Sequence, residues 1–244
     1  MKKTIILYVI MTLAALTGQA KTLIAYYSYT NNVERIVNEL RKQIEADVVE
    51  IEPAEKGLDY AANNYAIGSA LISAIRNNPN NPDSYPAIDP VNVDFDEYDT
   101  IIIGAPLWWS NMAAPLQTFL FSNGSKMAGK NIGLIVSSAS SGISGVESDA
   151  KRLIPDGKFL TPSLWIRSSQ TSNATTLISN WLKAIGYESL AGIESIASDY
   201  ITDKTMAIYN LSGQRMTEIG NLPKGIYIVR YAEGNMIQTK KIML

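Results

Sequence analysis

The stretch LIAYYSYTNNVERIV, residues 23–37, contains the change of pattern that decides the fold. Its first part, Leu23–Tyr27, is an apolar run of strand length. The next part, Ser28–Asn32, supplies side chains typical of turns and helix N-caps, and apolar residues then recur at helical spacing from Val33 to Ile44. A strand that leads through a polar loop into a helix presents free backbone N–H groups to anions. The stretch therefore predicts a phosphate-binding loop.

Strand-like and helix-like segments alternate further along the chain. The strand-like segments are Asp47–Ile51, Tyr98–Gly104, Asn131–Val136 and Leu160–Ile166, and helical patterns cover Tyr60–Arg76, Asn111–Asn123, Val146–Ile154 and Leu177–Ile185. Between the second strand and the third, Glu55–Pro90 is a long connection, of which Asn77–Pro90 is predicted as loop. This alternation predicts a doubly wound α/β domain that binds its ligands at the carboxyl ends of the strands.

Composition excludes several kinds of chemistry. The 244 residues carry a formal net charge of −2, so no basic surplus points to nucleic acid. The chain has no histidine, which excludes a Ser-His-Asp triad and removes the commonest metal ligand. It has no cysteine, which excludes disulfides and thiol chemistry. We therefore predict no catalytic side chain and no metal site, and expect any chemistry to come from a bound cofactor.

The N-terminus resembles an export signal. Lys2 and Lys3 precede a mostly apolar run, Ile5–Leu16, and Gly18-Gln19-Ala20 places small residues at a cleavage site. Residues 1–20 are therefore predicted as a signal peptide, and the mature protein is expected to be periplasmic, at the cell surface or secreted. The alternative is a membrane anchor, but the run is shorter than the ~20 residues that span a bilayer. No stable membrane span is expected in the mature chain.

The hydrophobic pattern of the sequence changes near its C-terminal end. The main domain is predicted over residues 21–190, followed by a linker over 191–204. Residues 205–244 contain β-like runs separated by turn signals such as Ser212-Gly213 and Glu233-Gly234-Asn235, which predicts a small antiparallel β module. Four short strands form only a marginal core. The module is therefore expected to pack against the main domain or to need a partner.

Three loops follow three predicted strands at one edge of the sheet. They are Ser28–Val33, Ala105–Met112 and Ser137–Ser144. Their hydroxyl and backbone N–H groups are suited to a phosphate, and the pair Trp108-Trp109 is suited to flank a ring system. The plainer interpretations are core packing for the tryptophans and an ordinary capped turn for the first loop. Adjacent tryptophans point in different directions, so one of them is expected in the core.

These motifs resemble those of flavodoxin-like domains, most closely the flavodoxin variant of many anaerobic bacteria. The matching pieces are YYSYTNN at 26–32, YDTIIIGAPLWWSNMAAPLQTFL at 98–120 and IGLIVSSASSGISG at 132–145. The resemblance implies a five-stranded parallel sheet of order 2-1-3-4-5 that binds FMN. It places Ser28, Tyr29, Thr30, Asn31, Asn32 and Val33 at the phosphate, Pro106, Leu107, Trp108, Trp109, Ser110 and Asn111 beside the isoalloxazine ring, and Ser137, Ser138 and Gly142 on the other side of the ring.

The sequence departs from the family pattern in three places. Asn31 stands where the family has glycine, and asparagine is the next most tolerant residue for a left-handed backbone, so the turn is expected to survive. Val33 stands where the family has threonine, and the lost hydroxyl removes one phosphate hydrogen bond, costing roughly 0.5–2 kcal/mol. The third loop has serines where relatives often have glycines, and these are expected to crowd the ring.

Three functions remain open on the sequence. The first is an exported protein that binds FMN and transfers electrons to and from a redox partner. The second is an FMN-dependent reductase of quinones or similar acceptors with a nicotinamide donor, in which Tyr60, Tyr65 and Tyr85 shape a substrate pocket. The third is a degenerate flavodoxin domain that acts as an envelope binding module.

The C-terminal module has a resemblance of its own. Ile208–Arg215 and Leu222–Val229 are similar to C-terminal β domains of exported Bacteroidetes proteins. In some of those organisms such domains direct secretion and are removed. The plainer interpretation is a small stabilising or adhesive module that stays on the protein.

Overall fold

A computed structural model describes residues 20–187, 194–195, 205–216, 222–223, 225–233 and 236–243. The predicted signal peptide lies outside these residues except for Ala20, and so does most of the predicted linker. Within the described part of the chain, no helix is long and apolar enough to span a bilayer.

The main domain is built on a parallel sheet. Its strands are β1 (Thr22–Tyr26), β2 (Asp47–Glu50), β3 (Thr100–Trp108), β5 (Asn131–Ser138), β6 (Lys158–Phe159) and β7 (Leu164–Arg167), and a short strand β4 (Asn111–Met112) returns antiparallel to β3. The parallel strands run in the order β2-β1-β3-β5. β6 pairs with the start of β5 and β7 with its end, so together they fill the fifth position. The predicted order 2-1-3-4-5 is confirmed, with its last strand in two pieces.

Helices cover both faces of this sheet, as the doubly wound prediction requires. They are α1 (Asn32–Leu40), α2 (Ala62–Asn77), α3 (Ala114–Asn123), α4 (Ser144–Leu153) and α5 (Ala174–Ala184). α1 and α5 pack on one face, and α3 and α4 pack on the other. Gly104 lets α1 lie close to β3, because a Cβ there would meet Tyr26 Cβ at 2.8 Å and Val33 Cγ1 at 3.1 Å.

Helix α2 begins irregularly. Asn63, Asn64 and Tyr65 have left-handed φ angles of 51°, 55° and 63°, and the regular right-handed helix follows them. The sequence predicted an ordinary helix from Tyr60. Ala61 at the helix start offers no capping side chain, and asparagine tolerates the left-handed region better than most residues. The irregular turn leaves the Tyr65 side chain 52 % exposed.

The C-terminal module is the predicted small antiparallel sheet. It comprises β8 (Glu194–Ser195), β9 (Thr205–Asn210), β10 (Arg215–Met216), β11 (Ile226–Glu233) and β12 (Met236–Met243), in the order β10-β9-β11-β12-β8. Among the described strands of this sheet, β8 alone pairs in parallel, at the edge beside β12. The module packs against the main domain as expected. Ile226 contacts the core under α1 and α5, and Lys241 Nζ lies 3.3 Å from Glu45 Oε2.

Candidate functional site

A cavity of about 850 Å³ opens where β1, β3 and β5 end. The predicted site residues that line it are Ser28, Tyr29, Thr30, Asn32, Val33, Pro106, Leu107, Trp108, Trp109, Ser137 and Ser138. Asn31, Ser110, Asn111 and Gly142 were also predicted, but they do not line it. No lining residue carries a formal charge. All three predicted loops therefore meet at one uncharged site.

The first loop turns into α1 through Asn31. Asn31 has a left-handed backbone, with φ 59° and ψ 5°, and its side chain caps nothing. The turn that glycine makes in the family therefore survives with asparagine, as expected. Ser28 Oγ accepts a hydrogen bond of 3.2 Å from the Glu34 N–H, and Thr30 Oγ1 accepts one of 3.0 Å from Asn32 Nδ2. Both hydroxyls keep their own protons for donation.

The α1 N-terminus adds backbone donors to this loop. The first N–H groups of a helix have no intrahelical acceptor, and the helix dipole favours negative charge there. In α1 the Glu34 N–H is already taken by Ser28. The remaining first-turn N–H groups and the two hydroxyls are neutral donors of the kind that bind anions.

The second loop is a tight hairpin, where the sequence predicted the start of a helix. Leu107 pairs with Met112 and Trp108 with Asn111, so the turn consists of Trp109 and Ser110. Their φ angles are 47° and 64°. A two-residue turn with positive φ at both positions normally carries glycine or asparagine. Side chains that adopt this region cost about 1–2 kcal/mol each, so neighbouring contacts must hold the turn.

Two helices hold the Trp109–Ser110 turn in a clamp made of Asp149 and Gly145 from α4 and Arg76 from α2. From α4, Asp149 Oδ2 accepts hydrogen bonds from Met112 N at 2.9 Å and Asn111 Nδ2 at 3.0 Å. From α2, Arg76 Nη2 donates to Asn111 Oδ1 at 2.7 Å and to Trp109 O at 3.2 Å. Gly145 lies directly against the turn, because a Cβ there would be 1.8 Å from Ser110 O.

The clamp explains why two predicted residues are not at the cavity. The Asn111 amide oxygen accepts a hydrogen bond from Arg76, and its amide nitrogen donates one to Asp149. The Ser110 carbonyl lies against Gly145. Both residues contact the helices that hold the hairpin and do not line the cavity. Asp149 and Arg76 were not predicted, since neither lies in a local motif.

The two tryptophans have different environments. Trp108 packs against the core and also lines the cavity, with ring centroids 4.9 Å from Tyr60 and 5.8 Å from Tyr27. Trp109 is 42 % exposed at the mouth, where its ring meets Tyr65 at 6.2 Å. The expectation that one tryptophan packs in the core is confirmed for Trp108.

The connection after β2 supplies the wall that the motifs did not specify. From this connection, Tyr60, Ala61 and Tyr65 line the cavity. Ala139, after β5, and Ser168, after β7, line it as well. Tyr60 and Tyr65 had been assigned to a substrate pocket because they are aromatic residues in a long connection, whereas the two alanines and Ser168 give no sequence signal. Tyr85 does not line the cavity: it stacks on Phe121 at 4.2 Å and donates to Pro79 O at 2.7 Å.

Tyr29 ties the first loop to that connection. Its hydroxyl donates to Asp59 Oδ1 at 2.6 Å and accepts from the Ala61 N–H at 3.1 Å. The hydrogen bond between Tyr29 and Asp59 raises the pKa of Tyr29 and lowers the pKa of Asp59. The tyrosine therefore stays protonated and the aspartate ionised near neutral pH, which keeps the tie in place.

The third loop does not crowd the cavity with free hydroxyls. Ser138 Oγ accepts from Trp165 Nε1 and donates to Ser141 O, both at 2.8 Å. A Cβ at Gly142 would have nothing within 4 Å. The Ser138 hydroxyl therefore bonds to the protein itself, and whether the serines crowd the ring stays a prediction.

A sheet of order 2-1-3-4-5 with an uncharged, aromatic cavity at its carboxyl edge defines a flavodoxin-like domain. Residues 21–185 match a model of the flavodoxin family, and the chain belongs to that family.

Solved structures with the same fold include bacterial flavoproteins. A candidate flavoprotein from Bacteroides eggerthii is 25% identical, with a TM-score of 0.55 over 68% of this chain and 98% of that one. One from Bacteroides uniformis is also 25% identical, with a TM-score of 0.52 over 66% and 98%. A flavoprotein from Lactobacillus acidophilus, in complex with FMN, is 21% identical, with a TM-score of 0.50 over 64% and 99%, and shows likeness of fold. Comparison with curated proteins gives no match.

We predict that Asp149→Asn loosens the hairpin. The amide offers only one acceptor oxygen and places an N–H group near donors, so the free energy of unfolding should fall by about 1–3 kcal/mol. Urea denaturation measures this change. Asp156→Asn, on an exposed carboxylate, is the matched control and should change stability by less than about 0.5 kcal/mol. Equal stability of the two variants would contradict the clamp.

Proposed function

We propose that this chain binds FMN in the cavity and transfers electrons between the flavin and a redox partner outside the cytoplasm. The observation that carries the proposal is the meeting of three loops at the carboxyl edge of the sheet, one with anion donors and one with tryptophans. Membership of the flavodoxin family and the fold shared with an FMN complex support it.

The residues present fit the phosphate of FMN. Ser28 and Thr30 have hydroxyl protons to donate, and Asn31 keeps the backbone turned so that the α1 N-terminus faces the cavity. No cation lines the site, so neutral dipoles alone would hold the anion. Hydrogen bonds to a charged group contribute about 1.5–3 kcal/mol each, and several of them hold a phosphate without a lysine or arginine.

The residues also fit a flat ring. Trp108 and Trp109 from the hairpin, Tyr60 and Tyr65 from the connection, and Ser137 from the third loop surround the rest of the cavity. The four aromatic rings would border a flavin and would limit the access of water to it. FMN itself supplies the redox chemistry when bound. The chain contributes orientation, a dry environment and the shape of the opening.

The site does not specify a strongly charged partner. Its lining is uncharged, and the whole chain has a formal net charge of only −2. Electrostatic steering of a partner toward the mouth would therefore be weak. Apolar and aromatic contacts at Trp109 and Tyr65 are the main recognition features there.

Export is part of the proposal and rests on the N-terminal sequence. The pattern of Lys2 and Lys3, the apolar run and Gly18-Gln19-Ala20 is that of a cleaved signal. The intact mass of the protein from its native host tests this. A mass that includes residues 1–20 would overturn the cleavage, and the same measurement shows whether the C-terminal module is retained.

One observation favours a second candidate, the FMN-dependent reductase. Tyr65 and Trp109 form an exposed aromatic pair at the mouth of the cavity, which suits a small flat acceptor such as a quinone. The degenerate binding module is less well supported, because Asn31 keeps the left-handed turn that was in doubt.

FMN is expected to stabilise the protein. At ~100 times its dissociation constant, FMN should add about 2.7 kcal/mol to the free energy of unfolding and raise the melting temperature. Thermal unfolding with and without FMN measures this. Riboflavin, which lacks the phosphate, is the control and should raise the melting temperature less than FMN does at the same concentration. No shift at saturating FMN would remove both the electron-transfer function and the reductase.

Asn31→Gly is expected to bind FMN more tightly. Glycine adopts the left-handed backbone without the cost of a side chain, which is about 1–2 kcal/mol for most residues and less for asparagine. The Asn31 side chain caps nothing, so its loss removes no hydrogen bond from the helix start. Fluorescence titration with FMN measures the dissociation constant. Asn31→Val, which resists positive φ, should bind more weakly, and the reverse order of the two variants would show that the loop is built differently.

One assay distinguishes the electron-transfer function from the quinone reductase. The FMN-loaded protein is mixed with NADH or NADPH and a quinone, and the absorbance of the nicotinamide is followed. We expect no steady consumption, as a carrier has no nicotinamide site. Sustained turnover that falls in Tyr65→Ala would instead establish the reductase.

A further inference from the structure

Gly68 is a buried glycine in α2, three residues after Tyr65. It does not line the main cavity, and the other buried residues of the helix, Ile72 and Ile75, belong to the core. Glycine inside a helix is destabilising relative to alanine. The Gly68 backbone is not left-handed, so the helix itself does not require glycine there. The reason for this glycine therefore lies in the group packed beside it.

The Trp109 indole occupies the space beside Gly68. A Cβ at position 68 would lie 2.9 Å from Trp109 Cη2 and 2.9 Å from Trp109 Cζ3. Carbon atoms in favourable contact lie about 3.5–4.0 Å apart. Cη2 and Cζ3 form the far end of the indole ring, so this end lies against the helix backbone. Even the methyl group of alanine would displace the ring from α2.

Other contacts fix the rest of Trp109. Its carbonyl accepts a hydrogen bond of 3.2 Å from Arg76 Nη2, about two helical turns after Gly68. The centroid of its ring lies 6.2 Å from that of Tyr65 and 6.4 Å from that of Trp108, both in edge-to-face contact. Helix α2 therefore holds Trp109 through its backbone at one point and through its ring at another.

The Trp109 ring separates α2 from the cavity. Trp109 lines the cavity and touches Gly68, whereas Gly68 does not line it. The distance between the ring and the helix backbone therefore decides how far the tryptophan wall extends into the mouth. A glycine gives the shortest distance that this packing allows.

We propose that Gly68 is a positioning residue, which sets the width of the slot for the flavin ring by seating Trp109 against α2. The inference rests on the proposed binding of FMN. Gly68 acts through Trp109, at the ring end of the cavity. It has no part in the phosphate end, where Ser28 and Thr30 belong to the first loop.

The seat itself is tested without a ligand. The FMN-free full chain is labelled with 5-fluorotryptophan, and its four tryptophan signals are followed by fluorine NMR. Trp109→Phe assigns the Trp109 signal. Gly68→Ala should shift this signal and leave that of Trp181, which is buried under α5, unchanged. Ser69→Ala, at the next position of α2, is the matched control and should shift neither. An unchanged Trp109 signal in Gly68→Ala would overturn the proposal.

Titrations with FMN and riboflavin test the role in binding. Gly68→Ala should weaken both ligands by the same factor, about three- to tenfold, because only contacts to the ring change. Ser28→Ala should weaken FMN and leave riboflavin unchanged, and Ser69→Ala should change neither. If the unmodified chain does not bind FMN, the proposed function fails, and the seat still stands or falls by the NMR result. If it binds FMN and Gly68→Ala leaves both affinities unchanged, or weakens FMN alone, the positioning role is wrong.

A double variant shows whether Gly68 acts through the indole. Phenylalanine at position 109 has a shorter side chain and leaves room beside the helix. In the Trp109→Phe background, Gly68→Ala should therefore leave the affinity for FMN unchanged. It should also raise the melting temperature, since alanine is favoured over glycine inside a helix. An equal loss of affinity in both backgrounds would place the effect in the helix itself and overturn the proposal.

Discussion

The turn at Trp109 and Ser110 is held in a left-handed backbone by contacts from two helices, α4 and α2. α4 supplies the Asp149 carboxylate, α2 supplies the Arg76 guanidinium, and Gly145 leaves room for the Ser110 carbonyl. The strain of the turn, about 1–2 kcal/mol for each residue, is offset by hydrogen bonds to a carboxylate that is 7 % exposed. Arg76 belongs to the helix that also carries Tyr65, so the clamp joins the hairpin to the connection that lines the cavity.

The sheet and the turn from β1 into α1 could be predicted because their signals are local. Apolar runs such as Tyr98–Gly104 and the helical spacing after Val33 lie within single segments. The Trp109–Ser110 hairpin could not, because Asn111 before an apolar run with Pro115 reads as a helix start, and the groups that hold it lie far along the chain. The left-handed start of α2 was missed for a related reason: its asparagines permit that conformation but do not require it. The contacts of Tyr60 and Tyr65 likewise follow from tertiary packing.

The lining of the main cavity carries no formal charge. Serine and threonine hydroxyls and the start of α1 face one end, and four aromatic rings surround the other. Neutral donors are less sensitive to salt than ion pairs are, and rings select a flat ligand by shape.

The attachment of the C-terminal module has a consequence for orientation. Its contacts, through Ile226 and Lys241, lie near Glu45, just before β2 begins. That is the amino edge of the parallel sheet, whereas the cavity opens at the carboxyl edge. These contacts of the module's described strands therefore lie at the opposite edge of the sheet from the mouth. If the chain were anchored to a cell envelope or to another protein through these last strands, the mouth would point away from the anchor, toward molecules that diffuse past.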